Sequence, residues 1–98
     1  MSDTAENIVV ENDQTAKRFA ARIDGKEAFI QYRYDDDNLV LVHTEVPDSL
    51  SGRGIAGKLV HTALEYARAE GVKVIPLCPF VSSYIRRHPE YESLVYHT

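Results

Sequence analysis

Apolar and polar residues alternate with a period of two in the first half of the chain. One such segment spans residues 17–23, and its apolar face consists of Phe19, Ala21 and Ile23. Asp24-Gly25 follows, a dipeptide typical of tight hairpin turns. A second alternating segment spans residues 26–34, with Ala28, Ile30, Tyr32 and Tyr34 on one face. This pattern predicts two half-buried antiparallel strands joined by a hairpin.

A third strand is predicted over residues 39–46, whose first half is apolar on both faces, as is typical of a central strand. The polar turn at residues 35–38 joins it to the second strand and so extends the meander. A short apolar run at residues 8–10 predicts a further strand at the start of the sheet. The polar residues 1–7 are expected to form a disordered N-terminal end.

The apolar period changes to that of a helix between residues 54 and 70. Gly71 is a natural end for this helix. Residues 73–78 predict another strand, residues 80–87 a short helix that ends before Pro89, and the tail at 91–98 an edge strand. The expected fold class is α+β: an antiparallel β-meander, a central crossover helix, a parallel strand and a short C-terminal helix.

Composition limits the classes of function. The chain has 98 residues, which predicts a single domain over residues 8–98. Its net charge of -4 argues against nucleic-acid binding, and its apolar runs are shorter than a membrane helix requires. One cysteine allows no internal disulfide and fits a reducing compartment. We therefore expect a cytoplasmic monomer with no membrane partner.

The segment from Gly52 to Lys58 carries the most informative motif. Three glycines and two cations lie within seven residues, between a predicted strand and a predicted helix. Free backbone N–H groups and the helix dipole favour an anion at such a place. A tight turn that needs glycines only for its backbone conformation is the alternative.

Two phosphate-binding patterns match this segment incompletely. The spacing G-x-G-x-x-G fits a dinucleotide fingerprint, but the following strand ends at Cys78 without the acidic residue that binds ribose. The spacing G-x-x-x-x-G-K fits a P-loop, but Leu59 stands where a magnesium-binding hydroxyl is needed. Neither pattern explains a meander before the loop.

A third pattern, [R/Q]-x-x-G-x-[G/A], places Gly54 and Ala56 at its last two positions and Ser51 at its first, which departs from Arg or Gln. With the segments at 43–47, 76–80 and 84–91, this loop resembles the minimal, single-domain GNAT-type N-acetyltransferases of about 100 residues. The resemblance covers nearly the whole chain from residue 8.

The resemblance implies an acetyl-CoA site at a splay between the parallel strands 39–46 and 73–78. Backbone groups of Thr44, Glu45 and Val46 would hold pantetheine. The pyrophosphate would be held by the loop residues Arg53, Gly54, Ile55, Ala56, Gly57 and Lys58. Arg87 would reach the 3′-phosphate of CoA or cap its own helix. This branch lacks the N-terminal helices with which larger relatives grip the acceptor, so the acceptor side is expected to be open.

Three residues are candidates for catalysis. His43 lies in phase with Leu39 and Leu41 on the central strand and is either a base or a core-edge histidine, since imidazole titrates near pH 6.5. Cys78 ends the second parallel strand and is either a buried apolar residue or a thiol facing the acetyl group. Tyr84 resembles the GNAT tyrosine that protonates the leaving thiolate; helix packing is its alternative role. Glu45 could relay protons through water; a solvated carboxylate at the end of the strand is its alternative role.

No metal site is expected. His61 and Glu65 are four residues apart on the long helix, but no second pair of ligands is in register. The sequence thus predicts an acetyl-CoA-dependent N-acetyltransferase whose amine acceptor is a protein lysine, a polyamine or a small metabolite. Two alternatives are a CoA- or acyl-CoA-binding module without turnover and a small protein-interaction domain.

Overall fold

The computed structural model describes residues 8–97. A single sheet has five strands in the order β1-β2-β3-β4-β5. The strands are β1 (Glu11–Asp13), β2 (Arg18–Ile23), β3 (Lys26–Asp35), β4 (Asn38–Glu45) and β5 (Val74–Pro76). The first four strands pair antiparallel, and β5 pairs parallel with β4. The predicted α+β class, with its meander and its parallel pair, is confirmed.

The helix α1 (Ile55–Glu70) connects β4 to β5 and lies on one face of the sheet. It ends at Gly71, whose φ of 72° is left-handed and whose N–H bonds back to the last turn. Its buried residues are Ile55, Leu59, Val60, Ala63, Leu64 and Ala67. These side chains join the inward residues of the strands, such as Ile30, Leu39 and Leu41, in one hydrophobic core.

The second helix, α2 (Pro79–Arg87), begins with proline in its first turn and packs beside α1. A 3-10 helix at Pro89–Leu94 follows α2 and also packs on α1. A shorter 3-10 helix at Asp48–Leu50 lies between β4 and α1. Within residues 8–97, both α-helices therefore lie on one face of the sheet. The opposite face, called the open face below, exposes residues such as Arg22, Gln31 and Arg33.

Two predicted elements at the ends of the chain are wrong in place or type. Residues 8–10 do not form the first strand: Ile8 is buried in the core, and the strand that pairs with β2 follows at Glu11–Asp13. The tail is mostly 3-10 helix, and only Val95 bridges Val74 in the manner of an edge strand. An edge strand is defined by backbone hydrogen bonds to its neighbour and does not require apolar residues. The apolar runs at both ends of the chain were therefore poor indicators of strands. The expectation for residues 1–7 lies outside the described residues.

The parallel strand β5 is shorter than the predicted 73–78. Its ladder with β4 ends where Leu41 pairs with Pro76. The N–H groups of both Leu77 and Cys78 then point to the same acceptor, the Leu41 carbonyl, at 3.1 Å each. One carbonyl serving two successive residues means that the strands diverge beyond this point. The end of β4 and the start of α2 thus form the two sides of a splay.

Candidate functional site

The splay is bridged at its inner end by one side-chain contact. Thr44 lies on β4 beyond Leu41, the last residue that pairs with β5, and Cys78 is the N-cap residue of α2. The Thr44 hydroxyl and the Cys78 sulfur are 3.3 Å apart. Cys78 is only 6% exposed and belongs to the hydrophobic core. The opening therefore contains a nearly buried thiol with a hydroxyl as its neighbour.

A β-bulge in β4 reverses the direction of the side chains that follow it. Gln31 pairs with His43 and Tyr32 with Leu41, so Val42 has no partner on β3. An extra residue in one strand shifts the side-chain alternation by one. The prediction that His43 is in phase with Leu39 and Leu41 is therefore wrong, because His43 lies on the open face and Thr44 takes the inward position.

His43 and Glu45 form a hydrogen-bonded pair on the open face. The His43 Nε2 atom and the Glu45 Oε1 atom are 2.8 Å apart, and both side chains are more than half exposed. Phe29 lies beside them, with its ring centroid 6.4 Å from that of His43. The imidazole and the Cys78 thiol thus lie on opposite faces of the sheet, and the side chain that contacts the thiol by a hydrogen bond is that of Thr44.

The glycine loop ends in an N-cap that leaves the first turn of α1 open. Gly54 is the N-cap, with a left-handed φ of 75°, so the helix begins one residue later than predicted. No side chain caps this end, and no acidic residue lies in the first turn. A helix N-terminus without these groups presents free N–H donors and a partial positive charge to an anion.

A hollow of about 230 Å³ lies directly at this helix end. Its walls come from the end of β4, the glycine loop, the first turn of α1 and the start of α2. They are Val46, Leu50, Ser51, Gly52, Gly54, Ile55, Ala56, Gly57 and Phe80. The hollow therefore joins the predicted pyrophosphate loop to the splay, and it is lined mainly by apolar side chains and backbone.

The predicted phosphate-binding cations have different surroundings. Arg53 donates to Asp24 of the β2–β3 hairpin, with 3.3 Å between Nη1 and Oδ2. The Asp24 carboxylate is mostly exposed, whereas the Arg53 side chain is half-buried. Solvent therefore screens this ion pair, so it holds the loop against the hairpin only weakly. Lys58 lies in the first turns of α1 and is half-buried. Arg87 lies in the last turn of α2 and donates to the Ser83 hydroxyl at 3.1 Å.

Hydrogen bonds shift the pKa of Cys78 downward. Burial raises the pKa of the thiol, but hydrogen bonds from the Thr44 hydroxyl and from the N–H groups of Val81 and Phe80 outweigh burial. The net pKa therefore lies below the usual value for cysteine. A cysteine at a helix N-terminus is a general setting for such a shift.

Tyr84 lies on α2 with its ring turned toward the first turn of α1. The ring atom Cε2 lies 3.9 Å from the position that a Cβ on Gly57 would occupy. The ring stacks on His88, with 4.0 Å between centroids. Burial, followed by the negative charge of Glu90, raises the pKa of the Tyr84 hydroxyl. A phenol is protonated near neutral pH even at its ordinary pKa, and this shift moves its titration further from neutrality.

His61 and Glu65 both form hydrogen bonds with the Tyr91 hydroxyl. The Tyr91 hydroxyl lies 3.0 Å from His61 Nδ1 and donates to Glu65 Oε2 at 2.5 Å. These contacts tie the 3-10 helix at Pro89–Leu94 to α1. Residues 8–97 contain no group of three or more potential metal-ligating side chains, and no helix among them is long and apolar enough to cross a membrane.

Three features of the site were not predicted from sequence. The bulge at Val42 has no sequence signal, because it depends on how β3 and β4 pair. The Thr44–Cys78 contact depends on where the parallel strands diverge. Asp24 and Arg53 are 29 residues apart, and neither residue type indicates the other.

Comparisons with known proteins agree with this geometry. Residues 18–94 match the family model described as GCN5-related N-acetyl-transferase. The chain is 36% identical over 85 residues to Protein NATD1 of Homo sapiens, covering 84% of this chain and 75% of that protein. It is 34% identical over 90 residues to Protein NATD1 of Xenopus tropicalis, covering 89% and 83%.

A solved structure has the same fold. It is the solution NMR structure of a GCN5-like protein from Staphylococcus aureus, with a TM-score of 0.71 and 26% sequence identity. The match covers 100% of this chain and 93% of the other. The resemblance inferred from the glycine loop is confirmed by these matches: the chain belongs to the GCN5-related N-acetyltransferase family.

Proposed function

We propose that this protein is an acetyl-CoA-dependent N-acetyltransferase whose catalytic centre is the splay between β4 and β5. The observation that carries the proposal is the divergence of the strands beyond Leu41, directly beside the uncapped N-terminus of α1. An extended pantetheine arm fits beside the free edge of β4 at Thr44, Glu45 and Val46. The pyrophosphate fits at the helix end, where backbone N–H groups are free to donate.

The loop residues divide the task of holding the pyrophosphate. The N–H groups of Gly54, Ile55, Ala56 and Gly57 supply hydrogen bonds, and the side chains of Arg53 and Lys58 supply positive charge. Arg53 must exchange or share its contact with Asp24 to do so, which costs little because the Asp24 carboxylate is mostly exposed to solvent. Arg87 is the proposed partner of the 3′-phosphate.

Transfer takes place directly between thioester and amine. His43, oriented by its hydrogen bond to Glu45, removes a proton from the acceptor ammonium on the open face. The amine nitrogen then forms a bond to the thioester carbonyl carbon, and the carbon–sulfur bond breaks. The neutral Tyr84 phenol gives a proton to the departing thiolate. Water takes the second proton from the nitrogen as the amide forms and returns a proton to the Tyr84 phenolate.

Cys78 lines the acetyl pocket from the covered face in this proposal. Its lowered pKa also suits a nucleophile, which would carry the acetyl group as a thioester before the amine takes it. The positions of the side chains favour direct transfer, since His43 lies on the other face of the sheet from Cys78 and is not its hydrogen-bonding partner.

Turnover and ligand binding are tested separately. CoA at 100 times its Kd should stabilise the fold by about 2.7 kcal/mol, seen as a raised melting temperature. Release of free CoA is then measured with a panel of primary amines. Stabilisation without release from any amine would favour the binding module without turnover, and the absence of both would favour the interaction domain.

The role of His43 has a matched control on the neighbouring strand. His43→Ala should lower kcat by roughly 10²- to 10⁴-fold, as expected for loss of a general base, with the Kd for CoA unchanged. Gln31→Ala changes the residue that pairs with His43 on the same face and should leave kcat unchanged. Equal activity of the two variants would remove His43 from the mechanism.

A further inference from the structure

The open face carries a second hollow, well away from the glycine loop. It has a volume of about 310 Å³ and lies over β1, β2 and β3. Its lining consists of Val9, Glu11, Ala20, Arg22 and Glu27. The lining therefore combines two apolar side chains with both signs of charge, on the face that bears the proposed base.

Strand pairing relates this hollow to Glu45. Glu11 pairs with Ala20, Ala20 with Phe29, and Phe29 with Glu45, so one residue from each strand lies in a row across the open face. Neighbouring strands are about 4.8 Å apart, which places Ala20 about 10 Å from Glu45. Arg22 lies two residues further along β2, about 7 Å from Ala20.

The charges of the hollow are only partly neutralised. Arg18 pairs with Glu27 at 2.8 Å, and its guanidinium lies 3.9 Å above the centroid of the Phe29 ring. Among residues 8–97, Arg22 and Glu11 take part in no ion pair. The hollow thus presents one cation and one anion that are available to a ligand, next to a ridge formed by Phe29 and Arg18.

We propose that this hollow binds the zwitterionic end of a free amino acid whose side chain ends in a primary amine. Arg22 binds the carboxylate and Glu11 binds the α-ammonium group, while the methylenes lie along the Phe29 ridge toward the amine site at His43 and Glu45. The inference rests on the proposed function, because it takes the open face as the acceptor side.

The dimensions of such a ligand fit the row of residues. An extended lysine places its terminal nitrogen about 8 Å from its carboxylate oxygens by ordinary bond lengths. A hydrogen bond of about 2.8 Å at each end extends this span to about 14 Å. On the sheet, the distance across the strands from Glu45 to Ala20 and the distance along β2 from Ala20 to Arg22 are perpendicular. Together they separate the backbone positions of Glu45 and Arg22 by about 12 Å. A polyamine would leave Arg22 without an anion, and a lysine within a peptide lacks both backbone charges.

Turnover with related amines tests this assignment. L-lysine, cadaverine and Nα-acetyl-lysine methylamide carry the same terminal amine but differ in the charges at the other end. Arg22→Gln should lower kcat/KM for L-lysine about tenfold, the effect of losing one charge-assisted contact, and leave kcat/KM for cadaverine unchanged. Arg33→Gln changes an arginine at the other end of the same face, beside Val40, and should affect neither substrate.

Binding without turnover separates this inference from the proposed function. Titration of the protein with L-lysine, followed by amide shifts in NMR spectra, should move the signals of Ala20 and Arg22, and Arg22→Gln should weaken that binding. If lysine binds there but no CoA is released, the proposed function fails and the binding site stands. If CoA is released with the peptide-like or polyamine substrate at least as well as with lysine, or if lysine leaves the hollow unperturbed, the inference is overturned.

Discussion

Replacement of Gly54 by alanine should weaken CoA binding, and the same replacement at Gly71 should not. Both glycines flank α1, and both have left-handed backbone, with φ of 75° and 72°. An L-residue in that conformation costs about 1 kcal/mol or more, so each variant should lose about that much stability. For a domain of this size, 1 kcal/mol lowers the melting temperature by roughly 4–8 °C.

The two variants differ in what lies beside the helix end. Gly54 lines the 230 Å³ hollow at the N-terminus of α1, whereas Gly71 lies at the other end, where an added Cβ would have no neighbour within 4 Å. A methyl group at Gly54 should displace the pyrophosphate from at least one N–H donor. A hydrogen bond to a charged group contributes about 1.5 kcal/mol, which corresponds to about a tenfold rise in Kd.

The assay combines thermal melting with calorimetric titration of CoA. Similar losses in melting temperature would establish that both positions require left-handed backbone. A higher Kd for Gly54→Ala alone would then assign the pyrophosphate to this helix end. Equal Kd values in the two variants, with both still folded by circular dichroism, would refute the reasoning and move the CoA site elsewhere.

Three further predictions concern single side chains. Arg53→Ala and Lys58→Ala should each weaken CoA binding but leave pantetheine binding nearly unchanged, because pantetheine has no pyrophosphate. If calorimetry shows the same loss of affinity for CoA and for pantetheine, the two side chains act through the fold and not on the pyrophosphate. The thiolate of Cys78 should persist to lower pH than that of an ordinary cysteine, because hydrogen bonds lower its pKa. This is measured by titration of thiolate absorbance, and a midpoint at or above the pKa of an ordinary cysteine would contradict it. Tyr91→Phe should lower the free energy of unfolding measured in denaturant, since the Tyr91 hydroxyl donates to Glu65. That hydrogen bond lowers the pKa of Glu65. The difference in the free energy of unfolding between wild type and variant should therefore be complete above the ordinary carboxyl pKa and should shrink as the pH falls and Glu65 becomes protonated. A difference in unfolding free energy that does not change with pH would contradict this linkage.

The sequence predicted the parts of the fold that depend on local periodicity. Alternation placed Phe19 and Ala21 inside, and the four-residue repeat through Val60 and Leu64 placed α1 against the sheet. Gly71 ended the helix as predicted, because its position needs left-handed backbone. These features follow from one segment at a time, which is why a single sequence indicates them.

The candidate site was predicted less completely, because it depends on contacts between segments. The glycine loop located the N-terminus of α1, and the order of elements located the splay. The direction of His43 could not be predicted, since the unpaired Val42 depends on the register between β3 and β4. The partner of Cys78 depends in the same way on where β4 and β5 separate.

The central claim is that CoA binds between the end of β4 and the N-terminus of α1. Backbone amide shifts measured by NMR during titration with acetyl-CoA test it most directly, because they report each residue separately. The account predicts that the largest shifts fall on residues 44–46 and 54–58 and on Cys78. Shifts confined to other parts of the chain, or no shifts at saturating acetyl-CoA, would contradict it.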